Sequence, residues 1–413
     1  MSDSNLLIKP LPTGWKNNRF RDVCDRVKDS YKPVEGGDTP YVGLAHLAQG
    51  FPAFVGRGTE SDIKSSKTAF KVGDILFGKL RPYLRKGAQA DFDGVCSTDI
   101  LTFRAKSGCE SDFLRFLVHS DEFINHAKST TSGVQHPRTS WPSLKEFHLS
   151  VPPLPEQKKI AHILSTVQRA IEAQERIIQT TTELKKALMH KLFTEGLRNE
   201  PQKQTEIGPI PESWEVAKVG DFAKIQSGGT PTRDVSENWI GGTIPWVKTS
   251  EIDYCVIKDT EERITPVGLS NSAARLYPAG TLLMAMYGQG ITRGRVGLLG
   301  IEAATNQACA SITPTNGENI SSVFLYYYFQ YHYENLRKLG HGANQRNMNA
   351  ALIRSFPISF PEPAEQAAVV AALESLDAKT ELHERKRQQL QYLFRTLLHE
   401  LMTAKIRVHE ITL

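Results

Sequence analysis

Residues 151–157 (VPPLPEQ) open a long stretch in which apolar side chains recur at alternating steps of three and four residues. The same arrangement returns after residues 360–366 (FPEPAEQ), an offset of 360 − 151 = 209. Proline is tolerated in the first turn of a helix, and steps of three and four place side chains on one helical face. Both stretches therefore predict long amphipathic helices.

The two predicted helices have matching seams. The first seam contains Ile160, Ile163, Val167, Ala170, Gln174, Ile177, Thr181, Leu184 and Leu188. The second seam contains Val369, Ala372, Leu376, Lys379, His383, Lys386, Leu390, Leu393 and Leu397. Each seam is apolar at its ends and polar in its middle, so each helix needs a partner, and the other helix is the nearest one. We expect an antiparallel pair with a globular domain at each end.

The repeat extends to the rest of the chain. LPTGW (11–15) returns as IPESW (210–214), and VGDIL (72–76) returns as AGTLL (279–283), with the blocks in the same order. A repeat of this length exceeds the units of solenoid proteins. It indicates a duplicated domain with its trailing helix, and hence a pseudo-twofold internal repeat.

Short β-rich runs and helical stretches in each half predict a mixed α/β (α+β) fold. The predicted strands are Pro40–Leu47, Asp74–Phe77, Ile244–Lys248 and Thr281–Met286, and the predicted helices within the domains are Ser111–Lys128 and Ser322–Leu339. An aromatic cluster in the last of these predicts a buried core. The predicted segments are a first globular domain (1–152), a first helix (153–195), a polar linker (196–206), a second domain (207–361), and a second helix with the C-terminal tail (362–407).

Composition sets loose limits on function. The chain has 413 residues, 40% of them hydrophobic, and a formal net charge of +5. These values are typical of a soluble globular protein and permit a nucleic-acid partner without requiring one. No apolar run has the length of a membrane span, and the first residues lack a signal-peptide pattern. We therefore expect a cytoplasmic protein that does not contact a membrane.

Catalytic motifs are incomplete. GDILFGK (73–79) matches the start of a phosphate-binding loop, but Leu80 occupies the position of the magnesium-binding hydroxyl residue. His383 and Glu384 begin like a zinc-protease motif, but Arg387 replaces the second histidine. The sequence therefore predicts no catalytic residue, no metal site and no cofactor in this chain.

Two loops in each half are rich in side chains that contact nucleic acids. In the first half these side chains are Lys79, Arg81, Tyr83, Arg85 and Lys86, followed by Gln135, His136, Arg138, Thr139 and Ser140. In the second half they are Tyr287, Gln289, Thr292, Arg293 and Arg295, followed by Asn344, Gln345, Arg346, Asn347 and Asn349. Any single one could be an ordinary solvated loop residue. The occurrence of the set at equivalent places in both halves favours DNA contact.

Several blocks together resemble a known family. IGPIPESW (207–214), QSGGTP (226–231) and IPWV (244–247) are similar to the second recognition domain of a type I restriction–modification specificity subunit. PLPEQKKIA (153–161) is similar to that family's helical spacer. The resemblance covers essentially the whole chain.

The resemblance implies two target-recognition domains, each specific for one half of a split double-stranded DNA sequence, with the helices setting the gap. It also implies two methyltransferase subunits bound by the helices and, in the complete complex, restriction–translocase subunits. S-adenosylmethionine, ATP and magnesium would bind to those partners. QKKI (157–160) becomes QAAV (366–369), so the two helix faces are not equivalent.

Two other interpretations stay open. A stand-alone restriction–methylation enzyme would need catalytic motifs that the sequence does not contain. A structural coiled-coil adaptor would not need two elaborate globular domains.

Overall fold

The computed structural model describes residues 11–288, 291–315, 320–338 and 348–408. The chain forms two compact units, the first of Met1–Glu175 with Arg385–Leu413 and the second of Arg176–Glu384. Each unit therefore combines one globular part with portions of both long helices. The segments predicted from the sequence keep each long helix separate from the globular domains, whereas this division assigns part of each helix to each unit.

The first unit has the following strands and helices. Its strands are β1 (Lys16–Arg19), β2 (Cys24–Arg26), β3 (Ser30–Tyr31), β4 (Pro40–Val42), β5 (Gly58–Thr59), β6 (Lys67–Phe70), β7 (Ile75–Gly78), β8 (Gly87–Gln89), β9 (Gly94–Cys96), β10 (Ile100–Ala105) and β11 (His148–Val151). Its helices are α1 (Phe20–Val23), α2 (Ser111–Leu117), α3 (Asp121–Ser129), α4 (Trp141–Leu144) and the first part of α5 (Leu154–Glu195). One sheet has the order β2-β10-β7-β8, another has the order β3-β6-β9-β4-β5, and β1 pairs with β11.

The second unit repeats this framework. Its strands are β12 (Gln202–Thr205), β13 (Gly208–Pro211), β14 (Glu215–Lys218), β15 (Ala223–Ser227), β16 (Ile244–Val247), β17 (Val256–Ile257), β18 (Glu262–Ile264), β19 (Leu276–Tyr277), β20 (Leu282–Ala285), β21 (Val296–Leu299), β22 (Ala303–Thr305), β23 (Cys309–Pro314) and β24 (Pro357–Phe360). Its helices are α6 (Val219–Phe222), α7 (Pro266–Ser270), α8 (Ser322–Tyr331), α9 (Tyr333–Lys338), α10 (Ala350–Ser355) and part of α11 (Pro363–Met402).

The strand pairing confirms the internal repeat. The order β2-β10-β7-β8 corresponds to β15-β23-β20-β21, and the pair β1–β11 corresponds to β14–β24. The parallel pair β4–β9 likewise corresponds to the parallel pair β16–β22. Trp15 and Trp214, at equivalent places in the repeat, are both buried. The mixed α/β architecture expected from the sequence is therefore confirmed in both units.

Some predicted elements differ in detail. The helix predicted over Ser111–Lys128 is divided into α2 and α3, because the Ser120 hydroxyl accepts a hydrogen bond from the Phe123 amide and starts a new helix. The predicted polar linker contains β12, which pairs with β13 through a turn at Thr205–Gly208. The aromatic residues of α8 from Phe324 to Phe329 are buried, as predicted.

A buried glutamine fastens the start of each long helix to its globular part. The Gln157 side chain accepts a hydrogen bond from the Glu110 amide (2.8 Å) and donates to the carbonyls of Pro152 and Gly108 (2.9 and 3.1 Å). The Gln366 side chain accepts from the Ser321 amide (3.0 Å) and donates to the Pro361 carbonyl (2.9 Å). These two residues close the repeated PEQ and AEQ blocks, so the repeat is preserved at the level of individual hydrogen bonds.

The glutamate before each glutamine meets a segment that follows the other long helix. Both oxygens of Glu156 accept hydrogen bonds from the Arg407 guanidinium, at 2.9 and 3.1 Å. The equivalent Glu365 accepts from the Leu197 amide at 3.0 Å. Lys185 and Asp377 form an ion pair at 2.6 Å, so the helix portions within the second unit run antiparallel.

The predicted seams are only partly correct. Ile160, Ile163 and Val369 are buried, but Leu184 and Leu393 are exposed. Other helix residues are buried near the ends instead: Met189, Leu192, Phe193, Leu373, Phe394, Leu398 and Leu401. A straight helix with 3.6 residues per turn drifts by about 20° per heptad from an ideal seven-residue repeat, so a seam extrapolated over the whole helix leaves the buried face.

Candidate nucleic-acid interface

The two predicted loops of the first unit lie side by side. The Arg81 amide donates to the Pro137 carbonyl (2.8 Å), and the Thr139 amide donates to the Lys79 carbonyl (3.0 Å). Residues far apart in sequence therefore form one continuous surface. We call this the first-unit loop surface, and its exposed side chains are Arg81, Tyr83, Gln135, His136 and Arg138.

Asp99, which was not among the predicted site residues, holds Arg138 and Lys79 in place on this surface. The Arg138 guanidinium contacts both carboxylate oxygens of Asp99, and the Lys79 amide donates to the Asp99 carbonyl at 2.9 Å. The hydrogen bond from Arg138 holds the pKa of Asp99 below its usual value, and the positive charges of Lys79 and His136 act in the same direction. STD (97–99) returns as TNQ (305–307) at an offset of 305 − 97 = 208, so Asp99 aligns with Gln307, and this repeated polar position is the sequence signal that could have identified it.

Arg85 and Lys86 differ from the rest of the first loop because they bond within the protein. Arg85 forms an ion pair with Asp121 and donates to the His119 carbonyl at 3.2 Å. The Lys86 ammonium donates to the Leu44 carbonyl at 2.7 Å. Arg81 and Arg85 flank a 3-10 turn with φ values of 50° and 48°, a left-handed conformation that L-residues rarely adopt. Arg85 and Lys86 therefore hold a constrained loop whose outer residues face solvent.

Thr139 and Ser140 occupy contrasting positions. Thr139 is buried, and its hydroxyl lies 3.1 Å from that of Thr130. Ser140 is exposed and precedes α4.

In the second unit two of the three predicted arginines, Arg293 and Arg295, bond within the protein. Arg293 is 8% exposed and its guanidinium donates to the Arg337 carbonyl at 2.9 Å. Arg295 pairs with Asp253, and its guanidinium lies 5.7 Å from the centre of the Tyr254 ring. These contacts shape the loop between β20 and β21.

The other predicted residues of the second unit fall into three groups. Tyr287 is exposed and Thr292 is half-buried. The Asn349 side chain caps α10 by accepting a hydrogen bond from the Leu352 amide at 2.9 Å. The remaining residues, Gln289, Asn344, Gln345, Arg346 and Asn347, lie outside the described residues.

An exposed arginine of the second unit stacks on aromatic rings and was not predicted. The Arg233 guanidinium lies 3.9 Å from the centre of the Trp239 ring and 4.9 Å from that of Trp246, and it pairs with Glu262. Glu262 also pairs with Lys248, so the aromatic stack and the shared carboxylate together fix the loop before β16.

Two further features bear on the kind of site. Within residues 11–288, 291–315, 320–338 and 348–408, no cluster of three or more histidine, cysteine or acidic side chains is arranged to hold a metal ion. Over the same ranges, no helix combines the length and apolar character needed to cross a membrane.

The chain belongs to the type I restriction modification DNA specificity domain family, which matches it twice, at residues 12–182 and 211–392. The resemblance inferred from the sequence is thereby confirmed. The MjaVIII specificity subunit of Methanocaldococcus jannaschii is 26% identical over 422 residues, which cover 96% of this chain and 94% of that protein. The MjaIX specificity subunit of the same organism is 30% identical over 195 residues, 45% of this chain and 42% of that protein.

A solved structure shares the fold. The type I restriction-modification system S subunit from M. genitalium superposes with a TM-score of 0.62 at 15% identity, covering 94% of this chain and 96% of that one.

Proposed function

We propose that this chain is the DNA specificity subunit of a type I restriction–modification complex and that each unit recognises one half of a bipartite DNA site. The observation that carries the proposal is the double match to a DNA specificity domain. Each match covers its own copy of the sheet framework and most of its own glutamine-anchored helix.

The first-unit loop surface is the proposed contact for the first half-site. Its guanidinium, imidazole, amide and phenol groups are of the kinds that contact base edges and phosphates. For the second half-site we retain Tyr287, Gln289, Thr292, Asn344, Gln345, Arg346 and Asn347. Arg85, Lys86, Arg293 and Arg295 have internal partners, which supports a role in shaping the loops.

Catalysis in this proposal belongs to other subunits. Two methyltransferase subunits would bind along the long helices, and restriction–translocase subunits would complete the assembly. S-adenosylmethionine, ATP and magnesium would bind to those subunits, and the complex would act in the cytoplasm. The present chain would select the site and catalyse no step.

Deletion of the gene tests the proposal. Methylation-sensitive sequencing should show that the genome of the deletion strain has lost methylation at one bipartite motif. Complementation with the gene should restore that methylation. Complementation with residues 1–150 replaced by those of a relative should change one half of the motif only. Changes in both halves would contradict independent recognition, and methylation or cleavage by the purified chain alone would contradict a non-catalytic role.

A further inference from the structure

The second unit contains an open cleft of about 580 Å³ beside strand β15. β15 lies at the edge of the sheet β15-β23-β20-β21-β17, so among the described residues no strand pairs with its outer side. The cleft is bounded by β15, by residues 273–275, and by Arg354 on α10. Its polar side chains are Lys224, Gln226, Ser227, Arg275 and Arg354.

The cleft is positively charged. Lys224, Arg275 and Arg354 are exposed, and the described lining contains no carboxylate. The Arg354 guanidinium donates to the Ile225 carbonyl at 3.2 Å, so this charge is held against the edge strand. The cationic groups are therefore available to an anionic ligand that approaches from solvent.

Close backbone packing fixes the floor of the cleft. A Cβ atom at Gly228 would lie 2.1 Å from the Thr305 carbonyl oxygen, and one at Gly229 would lie 2.3 Å from the Ala273 carbonyl carbon. Only glycine fits where the chain passes this close to neighbouring backbone. The end of β15 is consequently held between two other segments, which makes the cleft a preformed feature.

The cleft opens at the same end of the sheet as the predicted recognition loop. Ser227 at the end of β15 pairs with Ala310, and Ala310 pairs on its other side with Met284 near the end of β20. Two strand spacings of 4.7–4.9 Å correspond to roughly 10 Å between Ser227 and Met284. The loop that begins after β20, with Tyr287, thus leaves the sheet beside the cleft.

We propose that this cleft binds the sugar–phosphate backbone of the DNA next to the second half-site, with Lys224, Arg275 and Arg354 contacting phosphates. The inference rests on the proposed function and supplies the cationic contacts that Arg293 and Arg295 do not provide, because those two guanidinium groups bond within the protein. Lysine, arginine, glutamine, serine and backbone amides are the groups that most often contact phosphates.

An acidic protein segment is the competing ligand, and the composition of the cleft disfavours it. Protein–protein interfaces are enriched in aromatic residues, methionine and arginine and depleted in lysine and serine, so the two arginines of the cleft fit either ligand and the remaining residues decide. The described lining of the cleft contains neither an aromatic residue nor a methionine.

The test uses the complex assembled with its methyltransferase subunits and a duplex that carries the bipartite site. Lys224→Gln, Arg275→Gln and Arg354→Gln are compared singly and together, with Lys258→Gln as the matched control. Lys258 follows β17, at the opposite edge of the same sheet. Binding constants are measured between 50 and 200 mM salt on specific duplex and on duplex with an altered half-site.

Each phosphate contact contributes about 0.9 to the slope of log affinity against log salt. Raising the salt from 50 to 200 mM should therefore weaken binding by a factor about threefold smaller in a variant that has lost one contact than in the parent. Each cleft variant should weaken binding to both duplexes by the same factor and leave the methylated motif unchanged. Lys258→Gln should behave like the parent. Arg354→Lys keeps the positive charge but not the guanidinium that bonds to the Ile225 carbonyl. It should retain most of the parent's salt slope, which separates the effect of the charge from the effect of this bond.

A triple variant with the parent's salt slope would overturn the proposal. A triple variant that binds DNA normally once assembled, but assembles poorly with the methyltransferase subunits, would identify the cleft as a protein-docking surface and also overturn it. Absence of site-specific binding by the parent complex itself would instead refute the proposed function, and the cleft proposal with it.

Discussion

The Arg138 guanidinium contacts both oxygens of Asp99, with Nε 2.9 Å from Oδ1 and Nη2 3.4 Å from Oδ2. Both side chains are partly exposed, and pairs of this kind contribute only about 0.2–1 kcal/mol to stability. The consequence of the pair is therefore orientation: the carboxylate holds a forked donor group at the surface where the two loops of the first unit meet.

Asp99→Asn should relax sequence preference at one position of the first half-site. The substitution removes the charge that orients Arg138 and also removes a negative charge near DNA, so non-specific affinity should rise. Arg138→Ala should cost about 1–3 kcal/mol at the same position if Arg138 contacts a base. Binding to a library of duplexes with randomised half-sites measures both effects, and an unchanged first half-site in both variants would refute the assignment.

Lengthening the long helices should lengthen the gap between half-sites. Four residues inserted after Glu175 in α5 and four after Glu384 in α11, at the boundaries of the compact units, add about 6 Å and about 1.1 turns. With DNA rising about 3.4 Å per base pair, the methylated motif should keep both halves and gain one or two base pairs between them.

Matched insertions keep both the ion pair of Lys185 with Asp377 and the contact of Glu156 with Arg407 in register, whereas an insertion in α5 alone leaves no helix register that keeps both. The single insertion should therefore lower activity more than the double one. An active double insertion with an unchanged gap would show that the helices do not determine the spacing.

Replacing either anchoring glutamine should destabilise its own unit. Gln157→Ala removes the partner of the buried Pro152 carbonyl and Gln366→Ala that of the buried Pro361 carbonyl, a cost of about 1–3 kcal/mol in each case. Hydrogen exchange should show lower protection in the first unit for Gln157→Ala and in the second for Gln366→Ala. Gln388→Ala, at an exposed position of α11, is the control. Equal loss of protection in both units from either variant would contradict separate anchoring.

Acid should destabilise each unit through a buried histidine. Burial lowers the pKa of His119 from 6.5 to about 3 and that of His332 from 6.5 to about 4. Below pH 6.5 the unfolded chain therefore binds protons that the folded chain does not, and stability falls as the pH decreases towards these values. Each histidine contributes up to about 1.4 kcal/mol per pH unit in this window.

His119→Phe should flatten the pH dependence of urea unfolding between pH 6.5 and about 4, and His332→Phe should do the same for the second unit. His148 is exposed, and His148→Gln should leave the curve unchanged. A His119→Phe curve as steep as that of the parent would show that this histidine is not a buried neutral group.

Local periodicity and the repeat were sufficient to predict the long helices, the strands at residues 75–78 and 282–285, and the aromatic core of α8. These features depend on the order of apolar and polar residues within a few turns or one strand, and that order can be read directly from the sequence. The two loops of the first unit were selected because arginine and amide residues recur in both halves, and their contact with DNA stays a prediction.

What the sequence could not give depends on contacts between distant residues. Arg85 looks like Arg81 in sequence, yet it bonds to Asp121 because α3 begins beside it. In the sequence, Asp99 has the character of an ordinary turn residue. Its role is visible only in the fold, where the adjacent loop places Arg138 against it. The basic cleft combines Lys224, Arg275 and Arg354 from three separate elements. The seam of the long helices shifted because its ends pack into the cores of the units as well as along each other.

The contact between Glu156 and Arg407 bridges 251 residues, and Phe394, Leu398 and Leu401 complete the core of the first unit. A ribosome therefore makes the globular part of this unit long before the residues that cover it, and the apolar side of the first part of α5 stays uncovered until residues 394–401 have been made. The second unit is one continuous segment, Arg176–Glu384, and has all its parts earlier. The half encoded first is thus completed after the second half, and a premature stop just before Arg385 would unfold the first unit while sparing the second.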